Sequence, residues 1–208
     1  IYLNYYIIFM PKKIIISEIG GPKVLKYVDY NLPNKINDHD VRIEQKSIGL
    51  NYIDTYHRNG IYPLPTALPI CPGLEASGNI IGLGSKVKDF NIGDKVCYAS
   101  IPLGAYCEIR DFPASKVIKT PNEISENLAA SILLKGMTVE YLFERLYKIK
   151  KNETILFHAA AGGVGLIACQ WARSVGCNMI GTVSSEEKAL LAKKNGCTDL
   201  TLLYCVSN

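Results

Sequence analysis

No apolar stretch in the sequence reaches the ~20 residues that a membrane-spanning helix needs. No dense block of lysine or arginine occurs either. The 23 basic and 19 acidic side chains leave a formal charge of only +4, too mild to imply a nucleic-acid partner. The cysteines are seven, an odd number, and no two of them stand in a C-x-x-C spacing. That speaks against a disulfide framework and against a zinc knuckle, and leaves reduced thiols in a cytoplasmic protein as the expectation. His39 and His57 form no spacing that suggests a metal site. Internal repeats and low-complexity linkers are also missing.

Residues 1–10 are almost wholly apolar and aromatic, and Pro11-Lys12-Lys13 follows them. The positive charges come after the apolar run rather than before it, and no small-residue cleavage site follows, so the segment makes a poor signal peptide. Met10 is expected to be the natural start, with residues 1–9 an upstream or artificial tail. The sequence as a whole has an ordinary globular composition, 48% hydrophobic and 20% charged, and 208 residues allow one large or two modest domains.

Short segments of strand character dominate the first part. Strands are expected over 12–18, 24–30, 41–48, 75–83, 94–100 and 104–109, separated by Gly, Pro, Asp and Asn turns. Residues 50–62 read as a short helix or an irregular loop rich in polar aromatics. Regularly spaced short strands suggest a small β-barrel. The pattern changes near Thr120-Pro121. Ser125 is placed to cap a helix running through Leu128, Ile132, Val139 and Phe143.

The chain is organised around residues 152–176. Residues 154–158 are an apolar run of the length of a buried strand, and helix formers resume at Leu166 and end at Gly176, where a cap glycine belongs. Ala160-Ala161-Gly162-Gly163-Val164-Gly165 lies between them. Such a turn leaves backbone N–H groups at a helix N-terminus, and a pyrophosphate docks there when no side chain intervenes. Ala160, Gly162 and Gly165 occupy the three small-residue positions, with alanine in place of the usual first glycine. Glycine-rich connections of purely structural origin also occur between strands and helices. A further strand over 178–183, a helix from Ser184 to Gly196 and a strand over 200–204 complete half of a doubly wound sheet.

The end of the second strand bears on the cofactor type. An NAD site usually carries Asp or Glu there. This sequence has Gly181-Thr182-Val183-Ser184-Ser185, and Lys188 follows one helical turn on. Hydroxyls and a lysine suit a 2′-phosphate, which a carboxylate would repel, so NADP is favoured over NAD. Ser184 with Glu187 also spells a capping box, which needs no ligand. Cys169 and Trp171 read as core residues, and His158 as structural.

With these residues in view, the chain resembles a zinc-independent quinone oxidoreductase of the medium-chain dehydrogenase/reductase superfamily, the zeta-crystallin-like group. The resemblance rests on the stretch around the glycine turn with Asn152, Glu153, Gln170 and Arg173, on 51–56 followed by Arg58, Gly60 and Tyr62, on 72–78, and on Lys135-Gly136-Met137-Thr138. It covers roughly residues 12–200. Asn51 and Leu74 stand where zinc-dependent relatives carry Cys and His, and neither suits zinc, so no metal site is expected.

The resemblance implies a GroES-like β-barrel domain over 10–124 followed by a partial Rossmann domain over 125–208. It implies NADPH-dependent, zinc-independent reduction of a quinone or an activated enone. Asn51, Tyr56 and Tyr62 are the implied catalytic-end residues, with a tyrosine hydroxyl available to a developing oxyanion. Lys135, Thr138, Ala161, Gly162, Gly163, Val164, Gly165, Thr182, Ser184 and Lys188 are the implied cofactor-binding residues. Glu140 stands where close relatives carry an aromatic. A full doubly wound sheet would need about 120 residues more, so the chain reads as truncated, its longer form a homodimer. Two further readings remain: an inactive cofactor-binding or structural crystallin-like protein, and an enoyl-thioester reductase.

Overall fold

The structure is a computed structural model and describes residues 10–202; the expected tail over 1–9 and the last two residues of the expected strand 200–204 lie outside the described residues. The chain divides into two compact units, one up to Leu133 and one from Leu134 onward.

In the first unit, β1 (Lys12–Ile16) and β2 (Leu25–Asp29) form an antiparallel hairpin. Alternation of apolar and polar residues then makes β3 (Asp40–Gly49), whose Val41 and Ile43 point inward. The short helix α1 (Tyr52–Asn59) follows, then β4 (Glu75–Leu83), β5 (Lys95–Ala99), β6 (Ile109–Pro113) and β7 (Ile118–Lys119). The five later strands pair antiparallel in the order β6-β3-β4-β5-β7. Bridges Lys13↔Cys107 and Ile16↔Ile70 tie the hairpin to the segments leading into β6 and β4. The core is built from inward residues of every long strand, among them Val41, Ile43, Ala76, Ile80, Val96, Tyr98 and Phe112. Tyr98 and Phe112 stack with ring centroids 4.2 Å apart, and the Arg110 guanidinium lies 4.6 Å from the Phe112 centroid.

The strand expected over 104–109 is displaced: residues 104–108 are loop and turn, and the ladder begins at Ile109. Gly104 has φ +127°, a conformation that breaks a strand, and the inward residues of the ladder are Ile109 and Phe112. The helix α2 (Glu126–Glu140) starts as expected, with Ser125 Oγ accepting the Leu128 N–H at 3.3 Å. The buried Ser77 of β4 holds that start, donating its hydroxyl to the Glu126 carbonyl at 2.7 Å. Tyr141–Leu146 continue it as a π-helical turn.

The second unit repeats strand and helix: β8 (Thr154–Phe157), α3 (Gly163–Val175), β9 (Asn178–Val183), α4 (Glu186–Lys194) and β10 (Asp199–Leu202). The three strands are parallel in the order β10-β9-β8, as in the first half of a doubly wound sheet. Ala168, Cys169 and Ala172 of α3 pack on Met179 and Val183 of β9 and on Phe143, and Trp171 lies against the same cluster. Gly176 closes α3 with φ +79°, its N–H donated to the Ala172 and Arg173 carbonyls.

Two expectations are corrected here. β8 is not a buried strand: Leu156 is 60% exposed, because β8 is an edge strand of the described sheet. The cap of α4 is Ser185 rather than Ser184, since Ser185 Oγ accepts the Lys188 N–H. Ser184 is thereby left on the turn, outside the capping role. No helix among the described residues is long and apolar enough to cross a membrane.

The stacked ring at the centre of the first unit gives a direct test of this core. Phe112→Ala should lower the unfolding free energy by about 3–5 kcal/mol, read from urea denaturation. A loss within about 1 kcal/mol would show that Phe112 is not the centre of the core, since a buried phenylalanine cannot be removed so cheaply.

Candidate functional site

The turn between β8 and α3 is shaped by close backbone contact. Ala159 adopts the left-handed region with φ +54°. Its N–H is held by the Thr182 hydroxyl at 3.2 Å, and the Ala160 N–H by the Thr182 carbonyl at 3.0 Å. Thr182 is thus a pin between β9 and the turn, and His158 Nδ1 lies 3.1 Å from the same hydroxyl. A Cβ on Gly165 would stand 2.4 Å from the Ala159 oxygen, and one on Gly181 would stand 2.6 Å from the Ala160 methyl. The first turn of α3 therefore seats directly on the strand ends, which only glycine permits at these two positions.

Above that seat the helix end is open. Gly162 is the N-cap, no side chain caps the helix, and Gly162 and Gly163 are exposed. A helix start without a capping side chain presents its first N–H groups outward, at the positive end of the dipole. Ala161 and Val164 turn instead toward the apolar core. Lys135 runs alongside, its aliphatic stem 3.0 Å from where a Cβ on Gly163 would stand. Thr138, one turn on, gives its hydroxyl to the Leu134 carbonyl at 2.9 Å, so that group serves its own helix. Glu140 is ion-paired with Arg145 at 2.9 Å.

At the end of β9, Lys188 Nζ donates to Ser184 Oγ at 2.8 Å on the exposed surface. A hydroxyl and an ammonium group meet there at the residues the sequence singles out.

The residues expected at the catalytic end lie in the first unit. Asn51 is the N-cap of α1, 6% exposed, and its side-chain N–H donates to Glu75 Oε2 at 2.7 Å. Glu75 is fully buried. Asp54 accepts the Asn51 backbone N–H at 2.9 Å in a capping box, and the Tyr106 hydroxyl at the same distance. Burial, reinforced by Asp54, pushes the Tyr106 phenol up. Tyr56 and Tyr62 gather at a ring distance of 5.3 Å, with Tyr62 45% exposed. Sequence reasoning gave Glu75 and Asp54 no role. The Asn-x-x-Asp spacing of 51–54 was the available signal for the cap; nothing in the sequence pairs Asn51 with Glu75. Among the described residues, no group of three His, Cys, Asp or Glu is placed to hold a metal ion.

Residues 37–142 match the alcohol dehydrogenase GroES-like domain. The chain belongs to that family. It is 49% identical over 187 residues to a quinone oxidoreductase of Pseudomonas aeruginosa, covering 90% of this chain and 57% of that protein. It is 42% identical over 188 residues to a 2-haloacrylate reductase of a Burkholderia species, covering 88% of this chain and 56% of the relative. Among solved structures, Escherichia coli quinone oxidoreductase complexed with NADPH superposes with a TM-score of 0.90 at 44% identity, over 95% of this chain and 60% of that one. The resemblance to zinc-independent quinone oxidoreductases of the medium-chain dehydrogenase/reductase superfamily holds, as does the GroES-like and partial Rossmann fold class. The chain spans a little over half the length of these relatives.

The seat of α3 separates two neighbouring glycines of this GroES-like family member. Gly165→Ala drives a methyl into backbone and should cost about 1–3 kcal/mol. Gly163→Ala meets only the flexible Lys135 stem and should cost less than about 0.5 kcal/mol. Equal losses in chemical denaturation would contradict the close seat.

Proposed function

We propose that this chain carries the cofactor-binding start and the β-rich unit of an NADPH-dependent reductase acting on a quinone or an activated enone. The observation that carries the reading is the open, uncapped N-terminus of α3 on its glycine seat, with the Ser184–Lys188 pair at the end of the next strand. These fit the two anionic parts of one ligand. The N–H groups of Gly163, Val164 and Gly165 suit a pyrophosphate. The Lys188 ammonium and Ser184 hydroxyl suit a 2′-phosphate, and the absence of a carboxylate at the end of β9 avoids repulsion. Ala161 and Gly162 keep the approach clear, and Lys135 adds a cation beside the turn. Thr182 contributes by holding the turn rather than by touching phosphate.

When bound, NADPH supplies the hydride. The chain's own residues bind and orient. In this reading Asn51, fixed by Glu75, and the Tyr56–Tyr62 pair form the substrate-side wall, and a phenol donates a hydrogen bond to the developing oxyanion. Thr138 shapes the wall of α2, its hydroxyl committed to the helix. The enone side of the proposal is favoured by the kinship with a 2-haloacrylate reductase, whose named substrate class is an activated alkene. A cytoplasmic location fits the six free thiols among the described residues, and a homodimer of the longer form belongs to the same proposal.

Titration of the 208-residue chain with NADPH and with NADH, read by fluorescence of the reduced nicotinamide, tests the binding half. NADPH should bind more tightly. Ser184→Asp with Lys188→Glu should weaken NADPH by about tenfold or more and leave NADH within about twofold, since ~1.4 kcal/mol is tenfold. Equal affinities in the unaltered chain would sink the NADP assignment. Addition of a quinone should then oxidise bound NADPH at a rate that a chelator does not change. Binding without oxidation would instead support a cofactor-holding role.

A further inference from the structure

Tyr106 stands where three segments of the first unit meet. Its backbone is pinned on both sides: the N–H donates to the Pro72 carbonyl at 3.0 Å, and the carbonyl accepts the Ile14 N–H at 2.7 Å. Gly104 and Ala105, just before it, donate to the Gly73 carbonyl at 3.0 and 3.1 Å. The ring packs directly on Gly73. A Cβ there would stand 2.3 Å from Tyr106 Cδ1, and Gly73 has φ +94°, so both the space and the backbone conformation call for glycine.

The hydroxyl at the other end of that ring reaches α1. Tyr106 Oη donates to Asp54 Oδ2 at 2.9 Å, and the same oxygen accepts the Asn51 backbone N–H at 2.9 Å. Asn51 in turn donates from its side chain to Glu75 Oε2 at 2.7 Å, and Glu75 follows two residues after the glycine on which the Tyr106 ring rests. The contacts close a circuit, from Asn51 through Asp54, Tyr106, Gly73 and Glu75 back to Asn51. Asn51, Asp54 and Glu75 are all buried, so little water is at hand to replace a bond that is lost. Tyr106 thus touches both segments that carry the Asn51–Glu75 pair, the cap of α1 and the lead into β4. Burial and the Asp54 carboxylate push its phenol up, so the group is a donor at neutral pH.

We propose that Tyr106 is a positioning residue of the substrate-side wall, holding Asn51 in register with Glu75 by way of the Asp54 carboxylate, a role that rests on the reading of Asn51 given above. Tyr106 itself is assigned no contact with substrate or cofactor. Asn51 caps a helix of only eight residues, too short to be stable alone, so the start of that helix is fixed from outside. A capping carboxylate orients a first turn only as well as it is itself oriented. Two donors on one oxygen, the Tyr106 hydroxyl and the Asn51 N–H, hold Oδ2 between α1 and the loop over 104–108. Tyr56, carried on the same helix, takes its place from the same constraint.

Tyr98 serves as an internal comparison. It is fully buried, and its hydroxyl donates to the Gln45 side chain. Its partners Gln45, Arg110 and Phe112 belong to β3 and β6. Removing the Tyr98 hydroxyl takes a buried donor from the same unit without touching the circuit around Asn51.

Hydrogen exchange at Asn51, followed by nuclear magnetic resonance in the 208-residue chain, tests this. Tyr106→Phe keeps the ring on Gly73 and removes only the donor. It should speed exchange of the Asn51 backbone N–H by about tenfold or more, and leave core amides such as those of Val96 and Phe112 within about twofold. Tyr98→Phe should leave Asn51 within about twofold. In quinone-dependent oxidation of NADPH, Tyr106→Phe should lower kcat about tenfold with KM for NADPH within about twofold, because the glycine seat is untouched. A chain without turnover would count against the reductase reading alone, and the exchange result still decides the positioning. In the unaltered chain, the Tyr106 hydroxyl proton should show a nuclear Overhauser contact with the Asn51 N–H, which decides the matter if the variant fails to fold. Unchanged exchange at Asn51 in Tyr106→Phe, equal acceleration across the core, or absence of that contact while the Tyr98 hydroxyl proton is observed would each overturn the assignment.

Discussion

The missing side chain at Gly165 is the constraint on which the second unit depends. A helix can rest its first turn on the ends of two strands only if nothing projects between them. With no Cβ at 165 or at 181, the Ala159 oxygen and the Ala160 methyl occupy that space. Close seating then fixes the rest. It demands a left-handed residue at Ala159, and it brings the Ala159 and Ala160 N–H groups within reach of Thr182. It also leaves the first N–H groups of α3 without a capping side chain, at an exposed helix start. The open helix start is a by-product of packing, which explains why a glycine turn alone leaves the choice between structure and function open.

A parallel logic orders the first unit around a buried carboxylate. Glu75 is fully buried, and burial of a charged group is costly without hydrogen-bond partners. Asn51 supplies one, at the start of α1, and is itself held by the Asp54 capping box. A Cβ on Gly49 would stand 2.5 Å from a Glu75 oxygen, so the preceding glycine is part of the same arrangement. Tyr56 rides on the helix that this cap begins, and Tyr62 packs against it from the turn beyond Gly60. Asn51 is thus a neutral donor that answers the buried Glu75 side chain.

Much of this was legible in the sequence where a pattern is local. β4 and β9 begin and end where alternation and turn residues place them. The Gly176 cap, the Ser125 cap and the core role of Cys169 follow from short-range rules of the same kind. The failures are non-local. The displaced ladder at Ile109 depends on which residues face Val41 and Ile43 across β3, and no window over 104–109 contains that information. The exposure of Leu156 depends on what lies beside β8 in the sheet, not on its own apolarity. The Asn51–Glu75 pairing joins residues 24 apart.

The shift of the α4 cap from Ser184 to Ser185 resolves a choice the sequence left open. Had Ser184 been the cap, its hydroxyl would have been spent on the helix, and Lys188 would have read as one more solvated cation. With Ser185 accepting the Lys188 N–H, the Ser184 hydroxyl is turned to the surface, where the Lys188 ammonium meets it. An exposed amine–hydroxyl contact contributes little to stability, since water competes equally well for both groups. Its consequence is instead positional: it gathers a charge and a donor beyond β9, on the strand end where a ribose lies in doubly wound sheets. One residue of helix register thereby converts a capping motif into a candidate phosphate contact.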